Sequence, residues 1–520
     1  MTVLLTGGTV IDGSGNQAFP GDVLVEGERI LDVGPVGTLG VADQTVDATG
    51  KFVTPGFIDF HAHSDAYLVL EPDAPSKITQ GVTTEVNGQC GGSVAPRYGE
   101  ARLSSDWASL LGDKLTWRSL GEYRTQLEAV RPAVNTVQFV GHNTLRSSVV
   151  GYAGRLATPD ELKRMETLLE QSLDEGAFGL TTGLIYQPGK YSDFEEVRRL
   201  AAVTAKKGGF YATHMRSEGD RILEAIDEVL SLVDSTGIRA EISHLKTSGK
   251  RNWHKIDDVI DKIGAAVDAG KLLGSDRYPF TAAGTDLDVV FPDWAGEGAA
   301  KAECVRLADP ATRARIVAEL DQSGRDWSQV MVGGTWVAQT KRFSGRLIPD
   351  VAAELGLTPG AAVCHILALD ECRTGAFFFG MSEDNLDKIL ALPWIVPGSD
   401  ASLRAPWGPL GADHPHPRAY ATMPEFLSRL LTLGVTLEDA IARMTAVPAR
   451  RYNLKARGLV APGFMADLLV LDLSNFKSAS TYLAPHRFTT GVELVMVNGT
   501  ITCQGGKFTG QRNGRFLERD

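Results

Sequence analysis

The stretch FIDFHAHSD, Phe57 to Asp65, decides how the rest of the chain is read. Phe57, Ile58 and Phe60 form the apolar, β-favouring run of a strand buried on both faces, and Pro55-Gly56 is the turn signal that starts it. His61 and His63 follow at i and i+2, which in a strand puts both imidazoles on one face, where they can converge on one ion. A helical metal pair would be spaced i, i+4. Two unrelated histidines at a strand end would give the same short pattern, so the rest of the chain has to decide.

The flanks of this stretch differ in character. From Thr2 to Val53 short β-branched runs alternate with Gly and Asp turns, and the same style returns in DLLVLDL (Asp467 to Leu473) and in VELVMVNGTITCQGG (Val492 to Gly506), where Asn498-Gly499 is a hairpin signal. The two ends are therefore expected to pair into one small β-sandwich domain, residues 1–55 with 456–520. Residues 56–455 lie between them. There, apolar β-runs alternate with helical segments at the spacing of βα units: VTTEVNG (Val82 to Gly88), TVQFVGHN (Thr136 to Asn143), GLTTGLIY (Gly179 to Tyr186), GFYATH (Gly209 to His214), RAEISHLK (Arg239 to Lys246), LLGSDRYPF (Leu272 to Phe280) and WIVPGSDAS (Trp394 to Ser402). Thr158 as N-cap, Pro159 at the first helical position and Gly176 as stop bound one intervening helix. With the Phe57 run there are eight candidate strands, which predicts an α/β fold built on a TIM-like (β/α)₈ barrel, with a doubly wound open sheet as the alternative. The alternation breaks around 284–345, which reads as an insertion over a barrel mouth.

Composition narrows the function. A hydrophobic content of 43% and 22% charged residues are those of an ordinary globular protein. The formal charge of -12 argues against nucleic acid or an anionic membrane as partner. Neither a basic, apolar leader nor an apolar run of membrane-spanning length occurs, and five sparse, irregularly spaced cysteines make no disulfide framework. A reduced, cytoplasmic location is expected, with free thiolate available as a ligand. Oligomeric state is not legible in the chain.

Chemically capable residues recur at or just past the ends of these runs: His61 and His63, Cys90, His142, His214, His244, Asp276 and Asp400. In a barrel those ends open onto one face, so residues distant in sequence would meet. Metal binding is the simplest common explanation, since Cys, His and Asp are zinc ligands and a catalytic zinc keeps a position open for water. Zinc would activate that water for hydrolysis of an amide or ester, with Asp400 moving the proton. Tyr186, which closes the remaining run, is a candidate to polarise the scissile carbonyl. His142 reads equally well as a partner of a ligand or as a structural histidine, His414 and His416 as loop pins, and Arg216 with Glu218 as a structural ion pair.

Across the whole chain, GFIDFHAHSD, ITQGVTTEVNGQCGGSVAP, VGHNTLR, GLTTGLIYQPG, THMRSE, ISHLK, RYPF, GSD and HPR resemble, in order, the motifs of the D-aminoacylase (N-acyl-D-amino-acid deacylase) branch of the amidohydrolase superfamily. The cysteine within GQCGGSVAP makes the resemblance specific, because most other amidohydrolases use a carboxylated lysine there. The resemblance implies a tight zinc site of Cys90, His214 and His244, a second and weaker metal position at His61 and His63, and Asp400 as catalytic aspartate. It further implies Arg418 on the substrate's α-carboxylate, with Lys246 and Tyr278 lining that pocket. Ser64 stands where the best-known members have aspartate, and the stretch from Asp400 to Arg418 is richer in Pro and His; these departures leave the second metal and the accepted side chain open. The implied activity is zinc-dependent hydrolysis of small N-acyl-D-amino acids; an acidic side chain would need a second cation that the sequence does not place, which gives a mild preference for neutral or hydrophobic side chains. A cyclic-amide or hydantoin-type hydrolase, or a non-catalytic metal-binding protein on the same fold, are the alternatives.

Overall fold

The computed structural model describes residues 1–103 and 105–519. Two all-parallel sheets form its centre. One runs β1 (Phe57–Asp59), β2 (Val82–Asn87), β3 (Asn135–Gln138); the other runs β4 (Val140–Gly141), β5 (Gly179–Gly183), β6 (Phe210–His214), β7 (Arg239–Ile242), β8 (Leu273–Arg277), β9 (Ile395–Pro397). Spatial neighbours follow chain order within each of these sheets. The helices Phe194–Lys206, Ile222–Thr236 and Ile256–Asp268 supply three of the crossovers between neighbouring strands. Every residue of β1, β2, β5, β6 and β8 is buried, so these runs show no apolar–polar alternation, and the polar residues they carry, such as Asp59, Glu85 and Asp276, are buried with the rest.

β3 and β4 are one line of chain interrupted at Phe139, whose N–H donates sideways to Asn87 O at 3.0 Å. At the other edge Phe60 N–H donates to Pro397 O at 3.1 Å and Asp400 N–H to His61 O at 2.8 Å, which joins the end of β1 to the end of β9. The helix expected after Thr158 spans Pro159–Asp174: the Thr158 side chain accepts from Glu161 N, and Glu161 Oε2 accepts from Thr158 N at 2.8 Å. This reciprocal pairing satisfies two N–H groups that a helix start leaves unpaired.

Both ends of the chain enter one nine-stranded sheet. Its junction is the antiparallel pairing of Phe52–Pro55 with Leu468–Leu471, in which Val53 faces Val470. Asn498 and Gly499 both hold positive φ (45° and 77°) between the strands Val492–Val497 and Thr500–Gln504, the turn that an Asn-Gly pair favours.

The stretch between β8 and β9 builds a third sheet, antiparallel, in the order Ala283–Asp286, Gly375–Phe378, Val330–Val332. Its own hydrophobic cluster runs from Leu287 to Ala376 and takes in residues of the helices Ile348–Leu355 and Pro359–Leu369. Among the described residues no single helix is long and apolar enough to cross a membrane.

Candidate metal centre

The ends of β1, β2, β6, β7 and β9 bring six titratable side chains together. His61 and His63 follow β1; Cys90 lies three residues past β2; His214 ends β6; His244 stands two residues past β7; Asp400 stands three past β9. Cys90 Sγ is 3.2 Å from His61 Nε2, 3.3 Å from His244 Nε2 and 3.9 Å from His214 Nδ1, while His214 Nδ1 and His244 Nε2 are 3.1 Å apart. Asp400 Oδ1 is 3.1 Å from His63 Nε2 and 3.5 Å from His61 Nε2. Ligand atoms of His61, Cys90, His244 and Asp400 all lie within 4.8 Å of one another, and so do those of His214, Glu218 and His244.

Cys90, His244 and Asp400 each hold positive φ (52°, 37° and 49°). Non-glycine residues rarely adopt this conformation, and such strain concentrates at functional sites. Close backbone packing holds the cysteine loop in place. A Cβ on Gly183 would lie 2.1 Å from Cys90 O, and one on Gly91 would lie 2.6 Å from Gly183 N. Gly183→Ala is accordingly expected to push the Cys90 loop off its seat and to lower bound metal well below the wild-type ratio, as read by elemental analysis; a wild-type metal content would show that the loop has slack.

Carboxylates fix the imidazoles. Asp276, within β8, places Oδ2 3.2 Å from His61 Nδ1 and accepts from His244 N–H on Oδ1 at 3.0 Å. Glu218 Oε1 lies 2.9 Å from His244 Nδ1 and Glu218 Oε2 lies 3.5 Å from His214 Nε2, while the Lys246 ammonium bonds the same carboxylate. Carboxylates on the far nitrogens aim the near nitrogens at a metal and raise their basicity. Glu218 is the site residue missed from sequence. Arg216 does not pair with it: its guanidinium reaches Glu228 at 2.9 and 3.0 Å, which frees Glu218 for the histidines.

Charge is concentrated here. Burial by itself would raise the Cys90 thiol, but the His61 and His244 imidazoles beside it pull it well below its usual value. Burial likewise opposes charge on His63, yet Asp400 and Cys90 raise it to about 9. His244 rises to about 10 against burial and Lys246, through Glu218, Asp400 and Cys90. Asp400 is held well below the ordinary carboxylate range because Arg418 and His244 outweigh its burial.

Arg418, the first residue of the helix Arg418–Thr432, ion-pairs Asp400 Oδ2 at 2.8 Å and stacks on the Tyr278 ring at 4.6 Å. The Tyr278 phenol is fully buried and has no protein hydrogen-bond partner among the described residues. Lys246 Nζ lies 6.0 Å from the same ring. Tyr186 sits in the turn beyond β5 with its ring 5.0 Å from that of His214, and its phenol accepts from Thr285 Oγ1 at 3.4 Å. Burial raises it well above the usual phenol value, so it stays protonated.

Three other histidines have structural partners. His142 Nε2 lies 2.8 Å from Glu196 Oε1, His416 Nε2 donates to Ala282 O at 3.0 Å, and His414 Nε2 donates to Tyr482 O at 2.6 Å.

The donor set and the parallel-strand scaffold define a metal-binding α/β protein. Residues 44–503 match the profile of the amidohydrolase family. The chain is 34% identical over 520 residues to a D-aminoacylase of Alcaligenes xylosoxydans xylosoxydans (99% of this chain, 97% of that one). It is 32% identical over 524 residues to an N-acyl-D-glutamate deacylase of the same organism (100% of this chain, 97% of that one). It superposes with a TM-score of 0.84 and 30% identity on the crystal structure of N-acyl-D-glutamate deacylase from Bordetella bronchiseptica, complexed with zinc and a phosphonate that mimics the tetrahedral intermediate; 99% of each chain is covered. The chain thus belongs to the amidohydrolase family, in its D-aminoacylase (N-acyl-D-amino-acid deacylase) group.

Proposed function

We propose that this protein is a zinc-dependent hydrolase that cleaves the amide bond of N-acyl-D-amino acids to a carboxylate and a free D-amino acid. The observation that carries the reading is the triangle of Cys90, His214 and His244 set against an Asp400–Arg418 ion pair. In a tetrahedral zinc site, sulfur and imidazole ligands stand about 3.6 Å apart and two imidazoles about 3.3 Å apart. The separations of 3.3, 3.9 and 3.1 Å fit that ion. His61, 3.2 Å from the Cys90 thiol, and His63, 3.1 Å from Asp400, would form the second, weaker position, with Asp400 able to serve either one.

When bound there, zinc supplies a nucleophilic water near neutral pH and draws electron density from the scissile carbonyl. The chain's own groups do the rest. Asp400, ionised, takes the proton of the attacking water and returns it to the leaving nitrogen. The Tyr186 phenol donates towards the carbonyl oxygen. Arg418 binds the substrate's α-carboxylate, with Tyr278 and Lys246 beside it, a role suited to a guanidinium fork. Next to Arg418 and Gly284 stands an aromatic wall: Phe377 lies 5.2 Å from His416, and His416 lies 5.4 Å from Phe280 and 4.9 Å from Tyr482, ring centre to ring centre. This wall favours a neutral or hydrophobic side chain.

The scaffold for this chemistry is a (β/α)₈ barrel in residues 56–455, with the unit between β8 and β9 as an insertion and the terminal sheet as a small β-sandwich of residues 1–55 and 456–520. Support for closure comes from the bonds joining β1 to β9, and from one interior cluster that draws Ile58, Val86, Val137, Phe210 and Val396 from both sheets. All five cysteines are free, in keeping with a reduced cytoplasmic setting.

The test is turnover of matched N-acetyl-D- and N-acetyl-L-amino acid panels by zinc-loaded protein. Hydrolysis confined to the D-series supports the reading; equal hydrolysis of both series, or of hydantoins alone, overturns it. Arg418→Met is expected to raise KM on these carboxylate substrates about 10- to 100-fold, the loss that goes with a charged hydrogen-bond partner.

A further inference from the structure

The loop that carries Asp400 is held from beneath by one ammonium. Lys77 belongs to the short helix Pro75–Ile78 and is fully buried. Its Nζ donates to Ser399 Oγ at 3.1 Å and to Ala401 O at 3.0 Å, the two residues that flank Asp400. The same Nζ ion-pairs Asp59 Oδ2 at 2.7 Å and Glu85 Oε1 at 2.9 Å. Both carboxylates return to the active-site loops. Asp59 accepts from Ser399 N–H at 2.8 Å and from Ser399 Oγ–H at 2.6 Å; Glu85 accepts from Ser64 Oγ–H at 2.7 Å, and Ser64 Oγ accepts from Leu403 N–H at 2.9 Å.

Two features make this more than packing. A buried ion cluster is often replaceable by apolar side chains of similar volume without loss of stability, so burial alone does not explain a lysine with two carboxylates. Asp400 also sits at φ +49°, a conformation that a non-glycine residue keeps only where its surroundings over-determine it. The contacts of Lys77 lie on the residues before and after that strained position, and its counter-ions reach Ser64 on the histidine loop.

We propose that Lys77 is a positioning residue for Asp400: acting through Ser399 and Ala401, its ammonium fixes the turn that aims the carboxylate at the His61–Cys90–His244 cluster. The role given to Asp400 rests on the deacylase reading; the placement of its carboxylate does not.

The test compares wild type with Lys77→Met, nearly isosteric but without donors, and with Ser399→Ala, a smaller change at the same contact. A displacement of about 1 Å in a reacting group costs on the order of 100-fold. Lys77→Met should therefore lose roughly that factor in kcat with KM within about threefold, and Ser399→Ala a smaller share of it. Cobalt(II)-loaded protein supplies a second readout: both variants should bind wild-type amounts of cobalt but show altered visible absorption bands, because Asp400 meets the ion differently. Wild-type kcat and absorption bands in Lys77→Met, with only a lower melting temperature, would reduce Lys77 to packing and overturn the proposal. Should Lys77→Met not fold, wild-type kcat and bands in Ser399→Ala overturn it equally. A wild-type protein that hydrolyses no N-acyl-D-amino acid would remove the deacylase reading, and the cobalt spectra would then decide the placement on their own.

Discussion

Asp400→Asn is expected to lower kcat on N-acyl-D-amino acids by about 10²- to 10⁴-fold, the range that general acid-base groups contribute, while bound zinc stays at the wild-type ratio. The asparagine keeps the volume and one acceptor oxygen, so the positive-φ turn and the contact with Arg418 have a substitute. What it cannot do is take up a proton. Asp400 suits that task through its surroundings: Arg418 and His244 overcome the effect of burial and hold the carboxylate ionised at neutral pH. Zinc retention is expected because Cys90, His214 and His244 still form their triangle. A kcat within tenfold of wild type would move the base elsewhere, and Glu218, which is also ionised and touches two of the histidines, would be the next group to replace.

How much of this was legible in the chain follows from what each residue depends on. Cys90, His214, His244 and Asp400 could be picked out because each lies at or up to three residues past the end of a parallel strand, where a barrel would bring such residues to one face. Strand ends were less exact: Tyr186 stands three residues beyond Gly183, where β5 ends, because the chain turns as soon as it leaves the sheet. Glu218 was hidden by its neighbourhood. With Arg216 two residues away a local ion pair was the natural reading, and only the helix Ile222–Thr236, which brings Glu228 back to Arg216, releases Glu218 to His214 and His244. Lys77 gave no signal at all, since its partners Asp59, Glu85 and Ser399 come from three separate strands and loops. Ser64 shows the converse: a departure from the resembling family's pattern turns out to link Glu85 to the backbone of Leu403.

Cys90→Ala should abolish tight zinc binding and with it at least about 10³-fold of kcat/KM, because a thiolate ligand supplies both charge and affinity at such a site. The thiol needs no deprotonation cost near neutral pH, since His61 and His244 already hold it well below its ordinary value. The histidines do carry that cost. His63, raised to about 9, and His244, raised to about 10, are protonated in the metal-free protein, and an imidazole must be neutral to ligate. Zinc affinity of the wild type is therefore expected to rise with pH until His63 and then His244 have titrated, near 9 and 10, by about tenfold per unit for each proton displaced, and to level off above that. Cys90 is itself one of the charges that raises both histidines, so its removal lowers their pKa values. In Cys90→Ala the residual zinc binding should then be weaker at every pH, but its rise should end at lower pH than in wild type. Competition with a chelator across that range measures both effects. Undiminished affinity in the variant, with the wild-type pH profile, would place the tight site on His61, His63 and Asp400 instead.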